Sequence, residues 1–245
     1  MMTNRVLLGK GRVSAVYSDG SYAYKTFDEN HPREWIEYEV RIQQEIKTKT
    51  SLPVLSYTLS DDHREIRMDL IKGVTLADRL RTGEYQNGFH DMMELQMAFY
   101  AYRRLDLPDA QDAYDKQICH SSLAQPLKDK AIASLHSVER KDILCHFDFH
   151  PENIMVDGNQ YYILDCVNAK LAHPAFDLAR TYIILKQYVS RQADKYLREI
   201  VKKLQMDIQE VFKAIPAMAA IRLIEMETSD FTKTLIDMIM KDWKG

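Results

Sequence analysis

The chain has 245 residues, enough for one large domain or for two small lobes around a cleft. Lys and Arg number 33 against 36 Asp and Glu, a net charge of -3, which argues against a nucleic-acid surface. Three cysteines (Cys119, Cys145, Cys166) are too few and too scattered for a disulfide framework or a zinc site, so a reducing cytoplasm is the expected compartment.

Val6-Leu7-Leu8 is too short an apolar run for a signal-peptide core, and no run approaches the roughly 18 residues of a membrane span. Arg5 to Leu8 reads as a short strand entering Gly9-Lys10-Gly11-Arg12-Val13-Ser14. Two glycines two apart let a backbone turn approach phosphates, and Ser14 adds a hydroxyl; the same pattern also closes an ordinary hairpin. An Asp-Gly turn at Asp19-Gly20 follows, and the return strand Tyr22 to Thr26 puts Lys25 on the face of Ala23. A helix is expected from Asn30 to Ile46, with Asp28 or Asn30 as cap and Pro32 in its first turn. Trp35, Glu39, Ile42 and Ile46 then share one face. A carboxylate in that stripe is costly unless paired, and Lys25 is the obvious partner; the alternative is a Glu39 exposed at the stripe's edge. Strands at 54–59 and 65–70 complete a small unit of five strands and one helix, and Asp69 to Gly73 reads as a linker.

Thr75 caps a short helix stopping at Gly83, Asp91 to Leu107 is helical up to Pro108, and Pro126 opens a helix with the stripe Leu127, Ala131, Leu135, Val138. The next stretch organises the chain. His146-Phe147-Asp148-Phe149-His150-Pro151-Glu152-Asn153 runs into two apolar segments, Ile154 to Val156 and Tyr161 to Leu164, around an Asp-Gly turn. Pairing Val156 with Tyr161 sets Asn153 opposite Leu164 and brings Asn153 and Asp165 together at the open end of the hairpin. An amide oxygen beside a carboxylate suits Mg²⁺, and Asp148 on the adjoining loop suits a base for a hydroxyl. These are the parts of a phosphoryl-transfer site. Beyond the hairpin a helix starts near His173-Pro174, where Asp177 either caps it or holds the catalytic loop from beneath. The rest is nearly all helical, with Leu197, Ile200, Leu204, Val211, Ile215, Met218, Ile221 and Ile224 as core.

With these residues in place the chain resembles the aminoglycoside phosphotransferase family of small-molecule kinases, relatives of choline kinases and of protein kinases. The family's loop His-Gly-Asp-x-His-x-x-Asn is matched by His146 to Asn153. Its Ile-Asp-aromatic and Pro-x-x-Asp-x-Ala patterns are matched by Leu164-Asp165-Cys166 and Pro174 to Ala179. Two departures are Phe147 for the usual glycine and Cys166 for an aromatic. Neither removes a chemical group, and both are read as packing changes.

The resemblance implies an α+β, bilobal, protein-kinase-like fold. Its small antiparallel-sheet lobe with one main helix spans 1–70, and a larger, mostly helical lobe spans 71–245, with its substrate region at about 181–245. It implies ATP (or GTP) and Mg²⁺ as cofactors. Lys25, held by Glu39, binds the α/β-phosphates under the Gly9, Gly11 and Ser14 loop, and the backbone near Leu70 and Ile71 meets the adenine. Asn153 and Asp165 hold the metal, and Asp148 accepts the hydroxyl proton. His146, His150 and Asp177 support the loop, although His150 is also placed to touch Asp165 or a phosphate. The partner is a small-molecule hydroxyl compound, with no nucleic acid and no membrane, and a monomer or homodimer is expected. An antibiotic acceptor, and hence antibiotic resistance, would need carboxylates such as Glu225, Glu227 and Asp230; choline, thiamine, sugars, amino alcohols and amino acids are the other acceptors weighed. Two rivals remain. A metallohydrolase would use His146, Asp148 and His150 alternating on a strand, and a pseudokinase would bind nucleotide without turnover.

Overall fold

The computed structural model describes residues 5–11, 13–83, 85–226 and 230–243. Contacts gather the chain into two compact units, Met1–Gln86 with Pro151–Val167, and Asn87–His150 with Asn168–Gly245.

In the first unit the turn residues and alternating apolar positions of the N-terminal segment produce an antiparallel sheet. Its strands are β1 (Val6–Lys10), β2 (Ser14–Ser18), β3 (Tyr22–Phe27), β4 (Tyr57–Leu59) and β5 (Glu65–Asp69), in the order β1-β2-β3-β5-β4. Gly20, at φ +91°, makes the β2–β3 turn that an L side chain would strain. The helix α1 (Arg33–Lys49) starts three residues later than expected. Pro32 occupies its N-cap in an extended conformation and no side chain caps it. Its buried face is Ile36, Glu39, Val40, Ile42, Gln43 and Ile46, which includes the expected Glu39, Ile42 and Ile46, whereas Trp35 is 63% exposed and Ile36 takes its place. Ile36 and Val40 join Ala23, Phe27, Leu55, Tyr57, Ile66 and Met68 in this unit's core.

The first unit also holds β6 (Val74–Thr75) and α2 (Leu76–Arg81), whose N-cap Thr75 side chain accepts from the Asp78 N–H. Strand β7 (Ile143–Cys145) belongs to the second unit, but β8 (Ile154–Asp157) and β9 (Gln160–Ile163) return to the first, in the sheet order β6-β8-β9. Gly73 is required here, because a Cβ would lie 2.0 Å from the Val156 carbonyl oxygen.

The second unit is helical apart from the antiparallel pair β7 and β10 (Lys170–Ala172). Its helices are α3 (Gly88–Phe99), α4 (Ala110–His120), α5 (Gln125–Ser137), α6 (Pro174–Tyr188), α7 (Ser190–Lys203), α8 (Ile208–Glu225) and α9 (Thr232–Met240). The helix expected as far as Leu107 ends at Phe99. Beyond it the backbone is taken by tertiary pairing: Leu144 N–H donates to the Tyr102 carbonyl at 2.9 Å and Arg104 N–H to that of Asp142 at 3.2 Å. Helix α6 is buried from Pro174 to Leu185, and α8 packs beside it with Val211, Ile215, Met218 and Ile221 fully buried. No described helix is long and apolar enough to cross a membrane.

Candidate active site

Two groups of the expected residues are assembled, one in each unit. In the first, β3 presents Lys25 and α1 presents Glu39, and Lys25 Nζ donates to Glu39 Oε1 at 2.7 Å. Glu39 is only 5% exposed, so its carboxylate sits in the apolar stripe with the partner that chemistry demands. Asp165 Oδ1 lies 3.9 Å from the same ammonium. Burial alone would lower the Lys25 pKa, but the Asp165 and Glu39 carboxylates outweigh it and hold it above the ordinary lysine value. Burial pushes the Glu39 carboxyl up, against the pull of Lys25.

Asp165 is delivered by the hairpin. Val156 pairs with Tyr161 and Ile154 with Ile163, and the Leu164 N–H donates to the Asn153 carbonyl at 2.9 Å. Asn153 thus stands opposite Leu164 with Asp165 next along, at the open end of the ribbon. Asp165 then turns sharply, at φ +56°. A non-glycine residue in that region costs on the order of 1–2 kcal/mol and marks a conformation imposed by its surroundings. Its Oδ1 is buried without a hydrogen-bond partner among the described residues, since Lys25 is beyond hydrogen-bond reach. A buried carboxylate oxygen left in this way, beside an amide-bearing residue across the ribbon, fits a hard cation such as Mg²⁺. Cys166, fully buried, follows; burial raises its thiol pKa well above the ordinary value, reinforced by Asp165 and Glu39.

The other expected nucleotide contacts also lie in this unit. Gly9 pairs with Val16 after a register shift in β1, and the Gly11 N–H donates to the Ser14 carbonyl at 2.8 Å, so that amide closes the turn. Arg12 lies outside the described residues. Leu70 and Ile71 pack against the core of the sheet.

The second unit carries the loop after β7. Residues 146–150 form a bend and not the alternating strand that a His146, Asp148, His150 metal site needs. Among the described residues no three His, Cys, Asp or Glu side chains are placed to hold a metal ion. His146 is fully buried, edge-on to Phe99 and Phe149, and its Nδ1 accepts the Asp148 N–H at 3.2 Å. Phe147 sits at φ +63°, the left-handed region that glycine occupies freely. The loop is fixed from below by Asp177. Its Oδ1 accepts the Phe147 N–H at 2.6 Å, and its Oδ2 accepts from Gln96 Nε2 at 2.9 Å and Tyr100 Oη at 2.7 Å. The cap of α6 is instead His173, whose Nδ1 accepts the Ala175 N–H.

His150 Nε2 lies 3.7 Å from Asp148 Oδ2. Burial would raise the Asp148 pKa, but His150, Arg180 and His146 outweigh it and hold the carboxyl well below the usual range. Arg180 is a residue that motif reading passed over. It lies on the buried helix α6, three residues after Asp177, is 3% exposed and is bonded to Glu225. The available signal was an arginine amid mostly apolar neighbours (Phe176, Leu178, Ala179, Ile183, Ile184). Glu225 is therefore engaged, Asp230 is exposed, and Glu227 lies outside the described residues.

Solved structures share this fold across nearly the whole chain. A ternary complex of aminoglycoside phosphotransferase APH(4)-Ia with AMP-PNP and hygromycin B is 12% identical, covers 97% of this chain and 89% of its own, and has a TM-score of 0.66. Choline kinase LicA from Streptococcus pneumoniae is 13% identical over 96% and 92%, with a TM-score of 0.65. A streptomycin–ATP complex of APH(2")-IIa is 13% identical over 97% and 94%, with a TM-score of 0.62. The class is thus the kinase-like fold of small-molecule phosphotransferases, with an antiparallel-sheet N-terminal part and a helical C-terminal part. The model of the phosphotransferase enzyme family (APH) matches residues 15–205, and the chain belongs to that family. No curated protein matches.

Proposed function

We propose that this protein moves the γ-phosphate of ATP to the hydroxyl of a small molecule. The observation that carries this reading is the buried Asp165 oxygen that has no hydrogen-bond partner among the described residues and lies beside the Lys25–Glu39 ion pair, in a member of a phosphotransferase family. Lys25 binds the α/β-phosphates and Glu39 keeps it in place. The turn with Gly9, Gly11 and Ser14 covers the phosphates, and the backbone at Leu70 and Ile71 meets the adenine edge. Asn153 and Asp165 are the residues that would hold Mg²⁺, which when bound neutralises charge on the phosphates.

Asp148 receives the proton of the attacking hydroxyl. Its depressed pKa makes it a weak base in the resting enzyme, so its work before transfer is to orient the hydroxyl. The proton passes late, when bond formation to phosphorus has made the oxygen acidic. Most of the acceleration comes from positioning and charge, because phosphoryl transfer leaves the protein little covalent chemistry.

The test is ADP release from Mg²⁺-ATP with a panel of hydroxyl compounds. Asp148→Asn is expected to lower kcat by about 10²–10⁴-fold while nucleotide affinity stays unchanged. Undiminished turnover in that variant overturns the assignment of the base.

A further inference from the structure

Charges surround Asp148 in the second unit that the transfer of phosphate does not itself use. Arg180 stands one turn beyond Asp177 on α6, on the face that supports the Asp148 loop. One arm of its guanidinium bonds Glu225, but Nη1 is buried with no hydrogen-bond partner among the described residues. Arg222, one turn before Glu225 on α8, donates from Nη2 to Gln187 Oε1 at 3.0 Å and leaves Nε buried without a partner. Lys170 Nζ lies over the Tyr114 and Phe147 rings, 5.1 and 5.9 Å from their centres, and among the described residues donates only to the Asn168 carbonyl, at 3.0 Å. Among the described residues neither Lys170 nor Arg222 has a carboxylate within ion-pair distance. Lys170, Arg222 and Asp148 are half-buried, and Arg180 is buried.

Buried guanidinium donors without acceptors are costly, and they are the groups that bind carboxylate or phosphate oxygens best. Burial pushes Lys170 down to about 8, with Glu225 pulling against it and Arg180 adding to it; burial and Arg180 lower Arg222 against the pull of Asp148 and Glu225, so three cations outnumber the two carboxylates beside them. We infer that the acceptor is an anionic alcohol, whose carboxylate or phosphate group is received by Arg180, Arg222 and Lys170 while its hydroxyl lies at Asp148. The inference rests on the phosphotransferase reading of Asp148. The hydroxyl oxygen bonds the γ-phosphorus as the bond to the bridging oxygen of ADP breaks, and the hydroxyl proton passes to Asp148. A polycation would meet like charge at this place, and Glu225 is already held by Arg180.

Arg180 is too deeply buried for a clean variant, so the test uses Arg222→Gln and Lys170→Met. With the nucleotide site filled by Mg²⁺ and a non-hydrolysable ATP analogue, inorganic phosphate is titrated calorimetrically into each protein. Turnover is then compared across three-carbon alcohols that are neutral, cationic, or carry a carboxylate or a phosphate. Each variant is expected to weaken phosphate binding about tenfold, and the anionic alcohols to exceed the others about tenfold in kcat/KM. The carboxylate and phosphate arms identify which anion is preferred. Equal phosphate binding in all three proteins, or preferred turnover of a neutral or cationic alcohol, overturns the inference and leaves phosphotransfer standing. Phosphate binding that both substitutions weaken, with no alcohol of any class phosphorylated, instead overturns the phosphotransfer reading and keeps the anion site.

Discussion

Phe147 holds a backbone conformation that glycine would take without cost, yet its side chain is buried and packs edge-on to Tyr114 at 5.3 Å. Two effects oppose each other at this residue. Relieving the left-handed φ gains about 1–2 kcal/mol, whereas removing a buried phenyl ring costs about 3–5 kcal/mol. Phe147→Gly is therefore expected to destabilise the protein by about 2–3 kcal/mol in urea unfolding, although the family's pattern carries glycine there. A stabilised variant would show that the strain outweighs the packing. Glu39 gives a second residue-scale prediction. Lys25 has two carboxylates to choose from, at 2.7 and 3.9 Å. Glu39→Gln leaves Asp165 as its only charged partner, so the ammonium moves toward Asp165 and competes with a cation there. The Mg²⁺ concentration for half-maximal ADP release should rise several-fold, and an unchanged value would separate Asp165 from metal binding.

At the scale of elements, the hairpin β8–β9 was legible because an Asp-Gly turn and two apolar runs fix one register. That register alone set Asn153 opposite Leu164. The segment after Phe99 was not legible. Its residues are compatible with a helix, but Tyr102 and Arg104 pair with the backbone around β7, and local periodicity carries no information about so distant a partner. Of the face read for α1, Glu39, Ile42 and Ile46 are buried as expected; only Trp35 is not, because it counts as apolar in the pattern while Ile36 and Val40 fill the core beside them. Two elements give predictions. Gly73→Ala drives a methyl into the backbone of Val156 and should cost about 1–3 kcal/mol, measured by chemical denaturation. Helix α6 holds the loop through Asp177, whose loss leaves the Phe147 N–H, Gln96 amide and Tyr100 hydroxyl without their acceptor. Asp177→Ala should cost about 3–5 kcal/mol and lower kcat with it. A loss of activity at unchanged stability would instead assign Asp177 a chemical role.

For the molecule as a whole, two half-buried groups contribute with opposite sign to how stability depends on pH. The Asp148 carboxyl is held below its ordinary value, so it adds stability above the unfolded carboxylate range, and that contribution is lost as pH falls through its folded pKa. Lys170 acts in the opposite direction, because its folded value of about 8 lies below the ordinary 10.5. Between those values the unfolded chain binds the extra proton, so stability rises with pH across the window. Urea midpoints at pH 7.5 and 9.5 should therefore rise for the wild type and stay flatter for Lys170→Met. Equal slopes would mean that Lys170 titrates as an exposed lysine. None of this charge arrangement was legible in the sequence. Lys170, Arg180 and Arg222 lie in three different elements, Arg222 some forty residues beyond Arg180, and only the packing of α6 and α8 and the rings beneath Lys170 gather them.

The placement of the cysteines has a practical consequence. Cys119 is exposed, with its thiol pKa raised by its surroundings and by Asp115, while Cys145 and Cys166 are fully buried and burial raises the thiol pKa of both well above its ordinary value. Thiolate is the nucleophile, so a maleimide dye should attach once, at the end of α4, on the folded protein. The chain thus arrives with a handle for single-molecule fluorescence that needs no cysteine engineering and leaves the residue beside Asp165 untouched.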